Sequence, residues 1–295
     1  MPVSRRILFV HAHPDDECIG TGATLAKYVS DGAQVTLVTC TLGEEGEVLL
    51  PELSHLASDK EDALGAHRRE ELAAAMAVLG VTDSRLLGGP GRFRDSGMLG
   101  TPPNERPDCF WRTDLLVSAT ELVSVIREVR PHVVVTYDDF GGYGHPDHIQ
   151  AHRVTHYAVS LAENATFRAD LGAAWSVSKL YWTAFPRQVL VDGIAAAKAK
   201  GVENEFTAMN PDDLPFVCDD SLVTTVIVAP QFVPQKLAAL RAHGTQVSTD
   251  GGFLGFVESV GPEPFGTEYY RLARGTIHLE SEEVRESDLF AGLAE

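Results

Sequence analysis

Two short clusters in this sequence concentrate histidine and carboxylate side chains on proline-stiffened turns. They are His11-Ala12-His13-Pro14-Asp15-Asp16-Glu17 and Gly141-Gly142-Tyr143-Gly144-His145-Pro146-Asp147-His148. A catalytic zinc needs three ligands drawn from His, Asp, Glu or Cys, with a fourth position open to water. His13 and Asp16 stand at a turn entering a helix and can face one centre; His148 completes a two-histidine, one-carboxylate set. Asp15, Tyr143, His145 and Asp147 are then left beside that centre with no ligand duty. Hydrolysis needs such groups. A metal lowers the pKa of coordinated water to about 7, and a carboxylate outside the ligand set takes the proton, a role that falls to Asp15. Protonated His145 and the Tyr143 phenol are candidates to stabilise an oxyanion. Asp147 is expected to hold the His145 ring and favour its cationic form.

Turns of this kind need rigid supports, and strands precede both. The ILFV run inside residues 6–11 predicts a strand buried on both faces, and the VVVTY run within 132–137 predicts another. Between them the pattern gives a helix over 17–30, stopped by Asp31-Gly32, and a strand over 33–41. A helix over 61–79, a strand over 84–87 and a helix over 113–129 follow. After the second cluster a helix runs to about 163. Strand–helix alternation implies right-handed crossovers and a parallel sheet. Both clusters then share the carboxyl-end rim, where such sheets bind ligands. Residues 88–112 hold Pro102-Pro103 and Pro107 and form a loop of the length usually kept for function.

Further on, 177–185 and 222–229 read as strands, 188–200 and 230–242 as helices, and 251–266 as a loop. No linker separates these from the rest. The expectation is one domain over 1–295: a core over 1–165, and an elaboration over 166–295 that shapes the cavity.

Composition narrows the function classes. The chain has 295 residues, 42 acidic and 24 basic, for a formal charge of −18, and 44% are hydrophobic. That is the make-up of a soluble globular protein, not a fibrous or disordered one. Acidity argues against nucleic acid or an anionic membrane as partner, since both need a basic footprint. No apolar stretch approaches the roughly 20 residues of a membrane helix, and the run after Arg5-Arg6 is too short for an export signal. Four cysteines, at 18, 40, 109 and 218, show no CxxC spacing and fit reduced thiols of a cytoplasmic protein. Gly20-Thr21-Gly22 lacks a third glycine and lies inside a helix, so it is no dinucleotide fingerprint. Three polar residues near the rim are candidates for substrate contact: Arg68, Asp95 and Glu47. His243 reads as a helix-end residue favoured by the dipole.

With these residues in hand, the sequence resembles the LmbE-like, or PIG-L, family of metal-dependent N-deacetylases. The Ala12-His13-Pro14-Asp15-Asp16 and His145-Pro146-Asp147-His148 pair carries the likeness. Thr39 to Val48, Gly91 to Met98 and Arg130 to Tyr137 resemble one branch of it, the mycothiol-pathway deacetylases of actinobacteria. The resemblance implies a Rossmann-like sheet and hydrolysis of the acetamide of N-acetylglucosaminyl-inositol, a small amino-sugar substrate. It implies zinc (or ferrous iron) on His13, Asp16 and His148, with Asp15 as general base. His145 and Tyr143 would stabilise the tetrahedral intermediate, Asp147 would support His145, and Arg68 and Asp95 would face the sugar. Residues 164–220 and 244–266 match too loosely to carry over any contact. Three rivals stand beside this reading: a mycothiol S-conjugate amidase, a non-haem iron oxygenase using the same triad, and a non-catalytic sugar-binding protein with a structural metal.

Overall fold

The computed structural model describes residues 5–203, 205–248, 254, 257, 261, 263–280 and 282–293. The apolar runs become the strands β1 (Arg6–His11), β2 (Gln34–Thr39), β3 (Asp83–Leu86), β4 (Val133–Thr136) and β5 (Lys179–Ala184). Between and after them come α1 (Asp16–Ser30), α2 (Leu64–Leu79), α3 (Leu115–Val129), the single turn α4 (Gly141–Gly144) and α5 (Pro146–Ala162). The remaining elements are α6 (Arg187–Ala199), α7 (Glu205–Ala208), β6 (Thr225–Val228), α8 (Val233–Ala242) and β7 (Thr267–Arg274).

The strands form one sheet in the order β3-β2-β1-β4-β5-β7-β6. The first five are parallel, whereas β7 runs antiparallel to both β5 and β6. Alternation along β1 explains its continuous apolar run. Ile7 and Phe9 enter the core beneath α1, α2 and α8, while Leu8 and Val10 enter the core beneath α3 and α5. Residues 83–86 give a short, half-buried outer strand. The chain leaves β1 toward one face and β4 toward the other, and the two strands are neighbours. That is the switch point of an open α/β sheet, and its crevice takes the ligand. Both His/Asp clusters open into it.

No strand is expected at 267–274 from the sequence, yet β7 forms there. In β7, Glu268 and Tyr270 turn inward and charged residues interleave, so no apolar run announces a strand. The helix expected over 230–242 opens with a 3-10 turn, Pro230–Phe232, before α8. Most of the loop expected over 251–266 lies outside the described residues; Glu263–Gly266 is a 3-10 turn.

Glu268 ties three elements together. It accepts Lys236 Nζ of α8 at 2.7 Å and the Ala23 and Thr24 N–H groups of α1 at 3.0 and 2.8 Å. Both charged side chains are buried. Glu268→Ala therefore strands an ammonium in the interior, and a loss of about 3–5 kcal/mol is expected. Urea denaturation reads it as a lowered midpoint; a midpoint equal to wild type would mean that the lysine finds another partner.

Candidate active site

The first cluster turns from β1 into α1 with a strained residue at its centre. Asp15 has φ 118°, a conformation that costs a non-glycine residue on the order of 1–3 kcal/mol and survives only where its surroundings over-determine it. Its carbonyl accepts the Cys18 and Ile19 N–H groups at 2.9 and 3.3 Å, and its own N–H donates to Glu17 Oε2 at 2.9 Å. Arg68 donates to the Asp15 carboxylate at 3.1 Å, to the Pro14 carbonyl, and to the Gly43 carbonyl at 2.8 Å. Gly43 adopts φ 66°, which favours glycine, and a Cβ on it would displace the Arg68 guanidinium, whose Nη1 would stand 2.0 Å away.

The second cluster follows β4. Gly141 adopts φ 66°, and a Cβ on it would lie 2.6 Å from His148 Cβ. The glycines thus let the Tyr143 turn pass directly over α5. His145 caps α5 and Pro146 occupies its first position, the favoured start for a helix. Tyr137 couples the two clusters: its hydroxyl donates to Asp16 Oδ2 and accepts the Ala12 N–H, each at 2.9 Å.

His13, Asp16 and His148 converge. Asp16 Oδ2 lies 3.5 Å from His13 Nδ1 and 3.4 Å from His148 Nε2. Donors bound to one tetrahedral ion at about 2.0–2.1 Å stand roughly 3.4 Å apart, so these spacings fit an ion. Among the described residues, three groupings have all their donor atoms within 4.8 Å of one another: His13, His145 and His148; His13, Asp95, His145 and Asp147; and Glu17, Cys18 and His243. In the second the carboxylates are engaged, as is Asp16, whose Oδ2 also accepts the His13 N–H at 2.9 Å; what sets them apart is where they lie. Asp147 accepts the Ser96 N–H at 2.8 Å and the Ser96 hydroxyl, while Asp95 accepts Gly97 N–H at 2.8 Å and Glu45 N–H at 3.2 Å. They flank the other nitrogen of His13, with Nε2 3.2 Å from Asp147 and 3.5 Å from Asp95. A histidine bound through one nitrogen and steered by a carboxylate at the other is the usual arrangement around metals.

Asp147 therefore departs from expectation. Its carboxylate faces His13 and Ser96, and only its backbone N–H meets His145, donating to Nδ1 at 3.1 Å. With Nδ1 accepting, a neutral His145 carries its proton on Nε2. Burial and the neighbouring histidines push His145 down to about 3, so the imidazole is neutral near pH 7, not the expected imidazolium. Arg68, a candidate for substrate contact, lines the cavity but is buried, and its guanidinium supports the Asp15 turn.

Charge is unevenly spread over the site. Burial, with Asp16 adding to it against the pull of Arg68, raises Asp15 to about 6. Burial also tends to raise Asp16, but His148 and His13 outweigh it and hold that carboxyl well below the usual range. Burial pushes His148 down to about 4. The cavity these groups line measures about 540 Å³, within the span of small-molecule sites. Every candidate catalytic, metal-binding or substrate-contact residue lines it (His13, Asp15, Asp16, Glu47, Arg68, Asp95, Tyr143, His145 and His148) except Asp147. Tyr143 is 42% exposed, with its hydroxyl 3.5 Å from His148 Nε2. Sequence reasoning passed over Tyr137, Thr183 and Gln246, which also line the cavity. Only Tyr137 left a signal, as the end of a motif strand.

Residues 8–159 match the family model PIG-L, described as GlcNAc-PI de-N-acetylase. The chain is 56% identical to a 1D-myo-inositol 2-acetamido-2-deoxy-alpha-D-glucopyranoside deacetylase of Geodermatophilus obscurus, over 99% of each chain. It is 53% identical to the enzyme of the same name in Kribbella flavida, over 98% of each. Among solved structures, the N,N'-diacetylchitobiose deacetylase of Pyrococcus horikoshii aligns with a TM-score of 0.62 at 19% identity, covering 92% of this chain and 84% of that one.

Proposed function

Because the chain belongs to the PIG-L family of de-N-acetylases, we propose that it hydrolyses the acetamide of N-acetylglucosaminyl-inositol to glucosaminyl-inositol and acetate, a step of mycothiol biosynthesis. The observation that carries this reading is the identity of 56% over essentially the whole length of a deacetylase named for that substrate. His13, Asp16 and His148 are the ligands we assign to a divalent metal, zinc or alternatively ferrous iron. Bound there, the metal supplies Lewis acidity to water and to the amide carbonyl.

The chain's own groups do the rest. Asp15, half-way to protonated near pH 6, takes the proton of the attacking water, and Arg68 keeps it aimed. The neutral His145 donates Nε2–H, and Tyr143 its hydroxyl, to the carbonyl oxygen as negative charge develops there. Asp147 and Asp95 orient His13 through its Nε2. Asp95 and Glu47 line the cavity where sugar hydroxyls need acceptors. Residues 166–295 act as an elaboration of the same domain, a view supported by β7 and β6 continuing the sheet beyond β5. No helix of the described residues is long and apolar enough to cross a membrane, and free cysteines support a cytoplasmic setting.

The test is release of primary amine from a panel of N-acetylated amino sugars with and without inositol, beside a mycothiol S-conjugate. The inositol-bearing acetamide is expected to be cleaved fastest. Faster cleavage of the thiol conjugate would overturn the assignment in favour of an amidase.

A further inference from the structure

Behind the catalytic turn lies a second, wholly enclosed cluster. Glu17 and His243 are both 0% exposed, and His243 Nε2 lies 2.8 Å from Glu17 Oε1. Cys18 Sγ donates to the same oxygen at 3.0 Å. Three potential metal donors meet here, but the spacing speaks against an ion. Ligands of one zinc stand about 3.3 Å apart or more, whereas these atoms are at hydrogen-bonding distance and share one oxygen.

The other oxygen of Glu17 accepts the N–H of Asp15 at 2.9 Å. Asp15 is the residue at φ 118°, which needs its neighbours to hold it. A buried ion pair is a weak device for stability, since a well-packed apolar pair does as well. Its value lies in fixing geometry. His243 is also anchored on its own side: two residues later, Thr245 bonds through its N–H and hydroxyl to the buried Glu71 of α2, each at 2.8 Å.

We propose that Glu17 and His243 are a positioning pair for the hydrolysis. His243, delivered from the end of α8, fixes the Glu17 carboxylate, which clamps the Asp15 N–H and keeps the Asp15 side chain directed into the cavity. The inference rests on Asp15 being the general base.

The experiment is a double-mutant cycle on the metal-loaded full chain, with amine release from N-acetylglucosaminyl-inositol as the assay. Since small misplacements of a reacting group cost up to about 10²-fold, His243→Phe should lower kcat by about ten- to a hundredfold, with KM and bound metal unchanged. His243→Gln, whose amide nitrogen reaches the place of the imidazole Nε2, should restore most of it. Combined with Asp15→Ala, His243→Phe should cost nothing more, because its effect acts through that carboxylate. A folded His243→Phe protein with wild-type kcat, or a loss that multiplies with that of Asp15→Ala, overturns the pairing role. Should His243→Phe prevent folding, His243→Asn, too short to reach Glu17, takes its place in the same cycle with the same two criteria. Asp15→Ala alone at wild-type rate would instead remove the general base itself, so the two failures are told apart.

Discussion

Asp15→Ala is expected to lower turnover by about 10²–10⁴-fold, the range of a lost general base, while the protein still binds one metal per chain. Turnover should fall because Asp15 lines the cavity beside the ligand trio, and burial places its titration at about 6. A carboxylate titrating there is mostly ionised at neutral pH, yet basic enough to accept a proton in the transition state. Metal should stay because the carboxylate engages Arg68 instead of the His13, Asp16 and His148 cluster. Metal content by emission spectroscopy and kcat on the same sample separate the two effects. A rate within a small factor of wild type would exclude Asp15 as the base, and loss of metal would make it a ligand. The substitution also strips Arg68 of an ionic partner, so a modest drop in melting temperature is expected and does not bear on the role.

How far the sequence foretold this site depends on what kind of physics placed each residue. β1 and β4 were legible because strands buried on both faces read as uninterrupted apolar runs, and the clusters follow them directly. Their meeting at one rim follows from the parallel crossovers. The direction of a side chain at a helix start is another matter. Asp147 lies two residues from His145, but in the first turn of α5 its carboxylate swings to His13 and Ser96. Spacing alone could not give that. Arg68 was legible as a residue near the rim, but its hold on the Asp15 turn was not, because only the fold brings the Pro14 and Gly43 carbonyls to it. Strand β7 stayed hidden since its inward positions include a glutamate paired with a distant lysine. His243 is the sharpest case. It was read as a helix-end residue, yet it pairs with a carboxylate 226 positions away, and no local pattern encodes such a contact.

His13→Ala is expected to abolish metal binding and activity together, unlike Asp15→Ala. His13 is engaged at both ring nitrogens: Nδ1 faces Asp16, and Nε2 faces Asp147 and Asp95. Burial opposes a charge on this ring, but Asp95, Asp147 and Asp16 outweigh it and hold His13 well above its ordinary value, so three carboxylates depend on one imidazole. Its removal takes away a ligand and also leaves Asp147 and Asp95, both buried, facing each other with no group between them. Like charges so enclosed favour protonation or rearrangement, and either change disturbs the loop that carries Ser96. The loss of affinity should therefore exceed the roughly 10–100-fold typical of removing a partner that merely orients a ligand. Equilibrium dialysis against zinc, with unfolding followed on the same protein, measures it. Tight stoichiometric zinc in His13→Ala would mean that the ion sits elsewhere among these histidines, and the assignment of Asp16 and His148 would fall with it.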